Sequence, residues 1–161
     1  MRVNARSNQR GTRPGFSLGE LMIVVIVISI LAAAALPKWS SSLQKLRASN
    51  AASRIVSDLA RAQSAAYGSS TAKTVTFSVT ASQYTISDVA SLKRSSGTYA
   101  VTLTDDPYRC SLVSVWGESG TQTITFDGYG LPNRGGTIIV AANGVQKSIV
   151  VNAATGTAVI Q

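Results

Sequence analysis

Hydrophobic and polar positions along this chain fall into three regimes. From Leu21 to Leu36 nearly every residue is apolar, and Phe16 and Leu18 extend that stretch backwards. Beyond Pro37, Leu43, Leu46, Ile55, Leu59, Ala62 and Ala66 recur at helical intervals among polar residues. That spacing predicts a helix with one face packed on a domain and the other wet. From Ala72 to Gln161 the period drops to two. Val75, Phe77 and Val79 alternate with Thr74, Thr76 and Ser78; Tyr99, Val101 and Leu103 with Ala100, Thr102 and Thr104; Ile124 and Phe126 with Thr123 and Thr125. These read as half-buried strands. Asn143-Gly144 between Thr137 to Ala142 and Val145 to Val151 signals a tight type I′ hairpin. Lys147 breaks the alternation of the second arm and leaves its register open. Gln83 to Ile86, Leu112 to Trp116 and Thr157 to Ile160 are further short strands.

Lengths turn these elements into an architecture. About 21 residues from Phe16 to Leu36, at roughly 1.5 Å each, give about 31 Å of helix, close to the roughly 30 Å hydrocarbon core of a bilayer. Helix from Phe16 to Tyr67 would be about 52 residues and about 78 Å long, with Gly68 as its stop. No domain of this size buries such a helix whole, so half of it belongs in lipid or against other subunits. Pro37 cannot donate to the carbonyl of Ala33, so a kink or local melting is expected there. The fold class is α+β, a long N-terminal helix, transmembrane in its first half and amphipathic in its second, packed on a C-terminal antiparallel β-sheet. The expected divisions are a leader over 1–15, a membrane helix over 16–37 and a globular domain over 38–161. About 90 residues of sheet and the helix's apolar face suffice for one small core. Ser91 to Gly97 and Glu118 to Gly120 read as loops, and Asp105-Asp106-Pro107 as a turn.

Charge orients the apolar segment. Arg2, Arg6, Arg10 and Arg13 precede it, against Lys38 alone just beyond, which favours a cytoplasmic N-terminus and an exported remainder. Trp39 and Lys38 fall where interfacial anchors are expected. The same cues fit a secretory signal peptide cut near Ala32 to Ala35, or an uncleaved anchor. Glu20 separates these readings. A carboxylate in a mid-membrane helix costs about 2.5 to 3.5 kcal/mol, less near an end, and a disposable peptide gains nothing in return. The N-terminus of the helix also favours an acid there.

The basic leader closed by Pro14-Gly15, followed by Phe16-Ser17-Leu18-Gly19-Glu20, resembles the class III signal of type IV prepilins and pseudopilins. The resemblance implies that a prepilin peptidase cuts after Gly15 and methylates the new N-terminal Phe16. It also implies that Glu20, then fifth in the mature chain, neutralises the N-terminal amine of a neighbouring subunit during assembly. Pairing in low dielectric avoids the cost of isolated ions. Family sequences often read Gly-Phe-Thr-Leu-Ile-Glu here. This chain departs mildly at Ser17 and more at Gly19, a weak helix former costing about 1 kcal/mol relative to alanine. Pro37 matches the proline that follows the apolar segment in the family.

Phe126-Asp127-Gly128-Tyr129-Gly130-Leu131-Pro132, then Gly135-Gly136, the Asn143-Gly144 hairpin, Ile149-Val150-Val151 and Thr155-Gly156 together resemble the GspH/FimT group of minor pseudopilins and pilin-like proteins. A pilin-like fold is implied, and with it a minor pseudopilin of a type II secretion system, joining a short periplasmic pilus-like filament for protein export. The alternative is a FimT-like minor type IV pilin acting in pilus assembly or DNA uptake. Either places the chain in the bacterial inner membrane as a single-pass protein with a periplasmic C-terminal domain. The implied partners are other pilins and pseudopilins through the N-terminal helix, prepilin peptidase and the inner membrane. The glycines themselves read as turn geometry, since Gly128-x-Gly130 lacks the strand-to-helix setting of a phosphate loop.

The remaining chemistry is sparse. Lys and Arg number 15 against 7 Asp and Glu, a net +8, and loss of the four leader arginines halves that to +4. Arg47, Arg54 and Arg61 recur every seven residues, with Asp58 three or four from two of them. Few aromatics accompany that stripe, so a solvated face or subunit contact is favoured over a nucleic-acid groove. Some FimT-like proteins carry a basic tail associated with DNA uptake, whereas Thr157 to Gln161 here has no arginine. Nucleic acid is therefore disfavoured as a partner. There is no histidine, which removes Ser-His and Cys-His nucleophile pairs and histidine metal sites. No enzyme activity, cofactor or resident metal is expected. Cys110, the one cysteine, reads first as a small buried residue, with an interchain crosslink as the second possibility. Asp105-Asp106 is a weak calcium candidate without further oxygen ligands.

Overall fold

The computed structural model describes residues 15–90 and 98–161; the side chains of 34–38, 88, 90 and 98 also lie outside it. The expected loop Ser91 to Gly97, and Arg2, Arg6, Arg10, Arg13 and Pro14 of the leader, lie outside the described residues. The chain divides into two units, Met1–Trp39 and Ser40–Gln161.

Helix α1 is Leu18–Ser69, 52 residues. Its backbone stays helical through 37, so the melting expected at Pro37 is not what the chain does. In the first unit the large apolar side chains from Phe16 to Leu31 are exposed, Val24 least at 45% and Phe16 most at 85%. Among the described residues no helix is long and apolar enough to cross a membrane. The expected span over 16–37 includes positions 34–37, whose side chains are not described.

Within the second unit, α1 packs through Ala48, Ala51, Ala52, Ile55, Leu59, Ala62 and Ala66, all buried. Alanines let the helix backbone approach the sheets closely, and Ile55 and Leu59 fill the gap. Leu43 and Leu46, expected on this face, are exposed instead, Leu46 at 59%. They precede the first buried turn at Ala48, so helical period alone does not bury them. The helix also ends later than expected. Gly68 lies inside its last turn, and Ser70, with φ 49°, takes the left-handed position. Thr71 N–H donates to Ala66 O (3.3 Å) and Ser70 N–H to Tyr67 O (3.2 Å), a Schellman closure.

Eight strands follow: β1 Lys73–Ser78, β2 Gln83–Ala90, β3 Thr98–Thr102, β4 Ser111–Val115, β5 Thr121–Phe126, β6 Gly136–Ala142, β7 Val145–Val151 and β8 Ala158–Ile160. They form two four-stranded antiparallel sheets, ordered β3-β2-β1-β5 and β4-β6-β7-β8, where the alternation pattern led to one sheet. Period-two alternation tells which face a residue takes and nothing about which strand lies alongside. Ser82 ties the two together. With φ 47° and buried, it accepts Leu112 N–H of β4 at Oγ (3.1 Å) and Leu103 N–H, just beyond β3, at its carbonyl (2.9 Å).

Register follows the apolar faces. Phe77 stands opposite Tyr84 and Val75 between Ile86 and Ile124, with the Phe77 and Tyr84 rings 5.6 Å apart at 40°. Asn143 (φ 44°) and Gly144 (φ 90°) form the expected I′ turn, pairing Ala142 with Val145. That register sets Lys147 opposite buried Val140, on the inward face with Ile149 and Val151, where the half-buried lysine lies toward the hairpin end. The expected strand Leu112 to Trp116 is instead Ser111–Val115, with a register shift between Leu112 and Ser114 that buries Leu112 and Val115 three residues apart. Trp116, at φ 59°, lies beyond it.

Candidate functional site

Gly15, Phe16 and Ser17 are exposed, non-helical residues directly ahead of Leu18. The Gly15-Phe16 bond therefore lies in exposed backbone outside the helix. Of the residues expected to act there, Glu20 is drawn to neither Gly15 nor Phe16 but to Ser17. Ser17 N–H donates to Glu20 Oε2 (3.3 Å) and the Ser17 hydroxyl reaches the same oxygen (3.4 Å). Glu20 N–H donates back to Ser17 Oγ (3.2 Å). Together these make a capping box that satisfies two helix-end donors reciprocally. Its signal, serine three residues before an acid ahead of an apolar run, is present in the sequence and passes unread when Glu20 is weighed only as a charge. Gly19 sits in this first turn, where a Cβ would meet Ser17 Oγ at an ordinary contact distance of 4.0 Å.

A second polar constellation lies in the globular unit. Asp58, 4% exposed, accepts the Tyr84 hydroxyl (2.5 Å), the Tyr99 hydroxyl (2.8 Å to either oxygen) and Arg54 Nε (3.0 Å). Arg54 also donates to the Tyr99 hydroxyl. Arg61, the other residue at pairing distance in sequence, lies over the Tyr99 ring, 4.9 Å from its centroid, a cation–π contact. The arginine stripe is thus partly a fastening of α1 to β2 and β3. Burial first, then the Asp58 charge, pushes the Tyr84 hydroxyl well above its ordinary value; burial and the Asp58 hydrogen bond do the same to Tyr99. Burial works against the Arg54 charge, but Tyr99 and Asp58 outweigh it and hold the guanidinium above its usual range. Tyr84, Tyr99 and Arg54 therefore keep one protonation state near neutrality, which suits a structural lock and not proton transfer.

The glycine-rich C-terminal motif proves to be a packing device. Asp127 Oδ1 accepts Tyr129 N–H (2.9 Å) and Leu131 N–H (2.8 Å), shaping the turn. A Cβ on Gly128 would lie 2.9 Å from both the carbonyl carbon and oxygen of Ser70, so only glycine lets this turn seat on the end of α1. Gln63 Nε2 donates to Gly130 O (2.8 Å) and Thr155 O (2.7 Å), joining both glycine motifs to the helix. Nothing in the local pattern marks Gln63 for this, since its partners are 67 and 92 residues away.

The weaker candidates resolve into structural roles. Cys110 is buried, donates to Tyr108 O (3.1 Å) and has its thiol pushed up by burial, which disfavours the crosslink. Asp106 takes Arg109 through Nε (2.7 Å) and Nη2 (2.8 Å), and those bonds hold its carboxyl below the usual range. Tyr108 N–H donates to Asp105 O (3.0 Å), closing the expected turn. Among the described residues no three His, Cys, Asp or Glu side chains gather where a metal ion could be held.

No curated protein and no solved structure matches the chain. The model of the family described as Type II transport protein GspH matches residues 51–155, which take in the buried face of α1 from Ala51 on, the Asp58 cluster, the Gln63 fastening and every strand but β8. The chain belongs to the Type II transport protein GspH family, whose members are structural pseudopilins of type II secretion and not enzymes.

Proposed function

We propose that the protein is a minor pseudopilin that waits in the bacterial inner membrane, is cut by prepilin peptidase after Gly15, is N-methylated on Phe16, and joins a short periplasmic filament that serves protein export. The observation carrying this reading is the run of exposed apolar side chains from Phe16 to Leu31, headed by the single acid Glu20, in a chain whose globular unit belongs to the GspH family. Those side chains have no partner within the described residues to justify them as core. Lipid before assembly and neighbouring helices after it would supply one. Glu20 then accepts the methylated amine of an adjacent subunit. Partners are other pilin-like subunits through α1. The FimT-like alternative in DNA uptake gains no support from Thr157 to Gln161, which is uncharged and contributes β8.

The test is chemical. In a host with its prepilin peptidase, intact mass and N-terminal sequencing should place the mature start at Phe16 with one added methyl. A start near Ala35 would sink the pseudopilin reading of the N-terminal segment.

A further inference from the structure

We infer that Ser17 is a positioning residue for the assembly carboxylate, holding Glu20 through one oxygen so that the other meets the incoming amine. The inference rests on the assembly role of Glu20 proposed above. Both Ser17 donors reach Oε2, at 3.3 and 3.4 Å, and the Glu20 amide returns a bond to Ser17 Oγ at 3.2 Å. A carboxylate offers about four acceptor positions. The box uses the Oε2 side and leaves Oε1 for a partner ammonium without breaking any bond within the chain. Untethered, an exposed glutamate at the third helical position is spread over its rotamers. Ser17 removes that freedom before the subunits meet, so pairing need not order the side chain, which is worth roughly five-fold in the assembly equilibrium.

Serine's hydroxyl and glutamate's charge are separable here, because glutamine sustains a capping box as glutamate does while lacking the charge. The experiment uses the full chain expressed with its peptidase and sibling subunits, scoring crosslinking into the filament complex per cleaved subunit, so that any slowing of the nearby cut does not enter. Ser17→Ala should lower assembly roughly five-fold, and Ser17→Thr, which can rebuild the box, should restore it. Glu20→Gln should lower it further, and adding Ser17→Ala to Glu20→Gln should change nothing more. Normal assembly of Ser17→Ala beside a defective Glu20→Gln overturns the positioning role and leaves the role of Glu20 standing. Normal assembly of Glu20→Gln overturns both. If Ser17→Ala costs the same factor in the Glu20→Gln background, or Ser17→Thr fails to rescue, Ser17 is merely a cap or acts otherwise than through its hydroxyl.

Discussion

One helix, two halves, opposite treatment of apolar side chains: from Leu18 to Leu31 the isoleucines, valines and leucines of α1 are exposed, whereas after Ala48 the buried face is mostly alanine with Ile55 and Leu59. Hydropathy is thus highest where α1 has no core of its own. Burial within a domain selects for shape, and small residues permit close approach; exposure of large residues in an unbroken run selects for an apolar surrounding outside the domain. The sharpest way to break this contrast is to separate the halves. A chain shortened to begin at Lys38 should be soluble without detergent and melt cooperatively, since its core residues all lie beyond that point. Aggregation, or a broad non-cooperative melt, would mean that the exposed half contributes to the fold.

Polar groups sharpen the same contrast. Glu20 is exposed and bonds to Ser17, three residues away, while Asp58 is buried among Tyr84, Tyr99 and Arg54 from three elements. Asp58→Ala leaves two hydroxyls and a guanidinium without their common acceptor. The loss should be about 3 kcal/mol, the low end of the range for breaking a buried pair, because the Arg54 side chain keeps 35% exposure and can turn to water. Glu20→Ala should leave the unfolding midpoint of the globular unit unchanged. Urea denaturation of the two variants decides; equal midpoints would refute the hub role of Asp58.

Alkaline titration probes the same hub with a smaller effect. Tyr84 is held protonated in the folded state above the ordinary tyrosine value of 10.0. A raised folded value means the folded chain binds more protons than the unfolded one above that pH. The stabilisation is therefore complete below about pH 10 and lost as the pH rises through and beyond it. Tyr84 alone should add a slope of about 1.4 kcal/mol per pH unit there. Tyr84→Phe should be less stable at pH 8 yet fall less steeply above pH 10. Parallel stability curves for the two proteins would remove Tyr84 from the linkage.

Local chemistry made much of this legible. The I′ hairpin followed from Asn143-Gly144 and the strands from their alternation. What the sequence pattern withheld was partnership across distance. Two sheets instead of one, the placing of Lys147 on the inward face, and the Gln63 bonds to Gly130 and Thr155 all depend on which elements come together. Asp58 illustrates the boundary. Its pairing with Arg54 was readable from spacing four, but Tyr84 and Tyr99 reach it from strands 26 and 41 residues on. Arg61, three residues on from Asp58, lies over the Tyr99 ring, a contact spacing alone does not reveal.

The end of α1 offers the finest test of local reading against tertiary packing. Glycine would ordinarily occupy the left-handed position after a helix, and Gly68 suggested the stop, yet Ser70 holds that position at φ 49°. The turn around Gly128 packs directly on the Ser70 backbone, 2.9 Å from where its Cβ would be, so the seating of that turn fixes where the helix must close. An L-residue there costs about 1 to 2 kcal/mol. Replacing it with glycine recovers that cost less about 0.5 to 1 kcal/mol of added chain entropy in the unfolded state. Among the described residues no hydrogen bond uses the Ser70 side chain, and both Schellman bonds come from backbone groups. Ser70→Gly should therefore stabilise the globular unit by about 0.5 to 1 kcal/mol, read as a higher urea midpoint at unchanged slope. A lower midpoint would show that Ser70 is chosen for its side chain and not tolerated for its position.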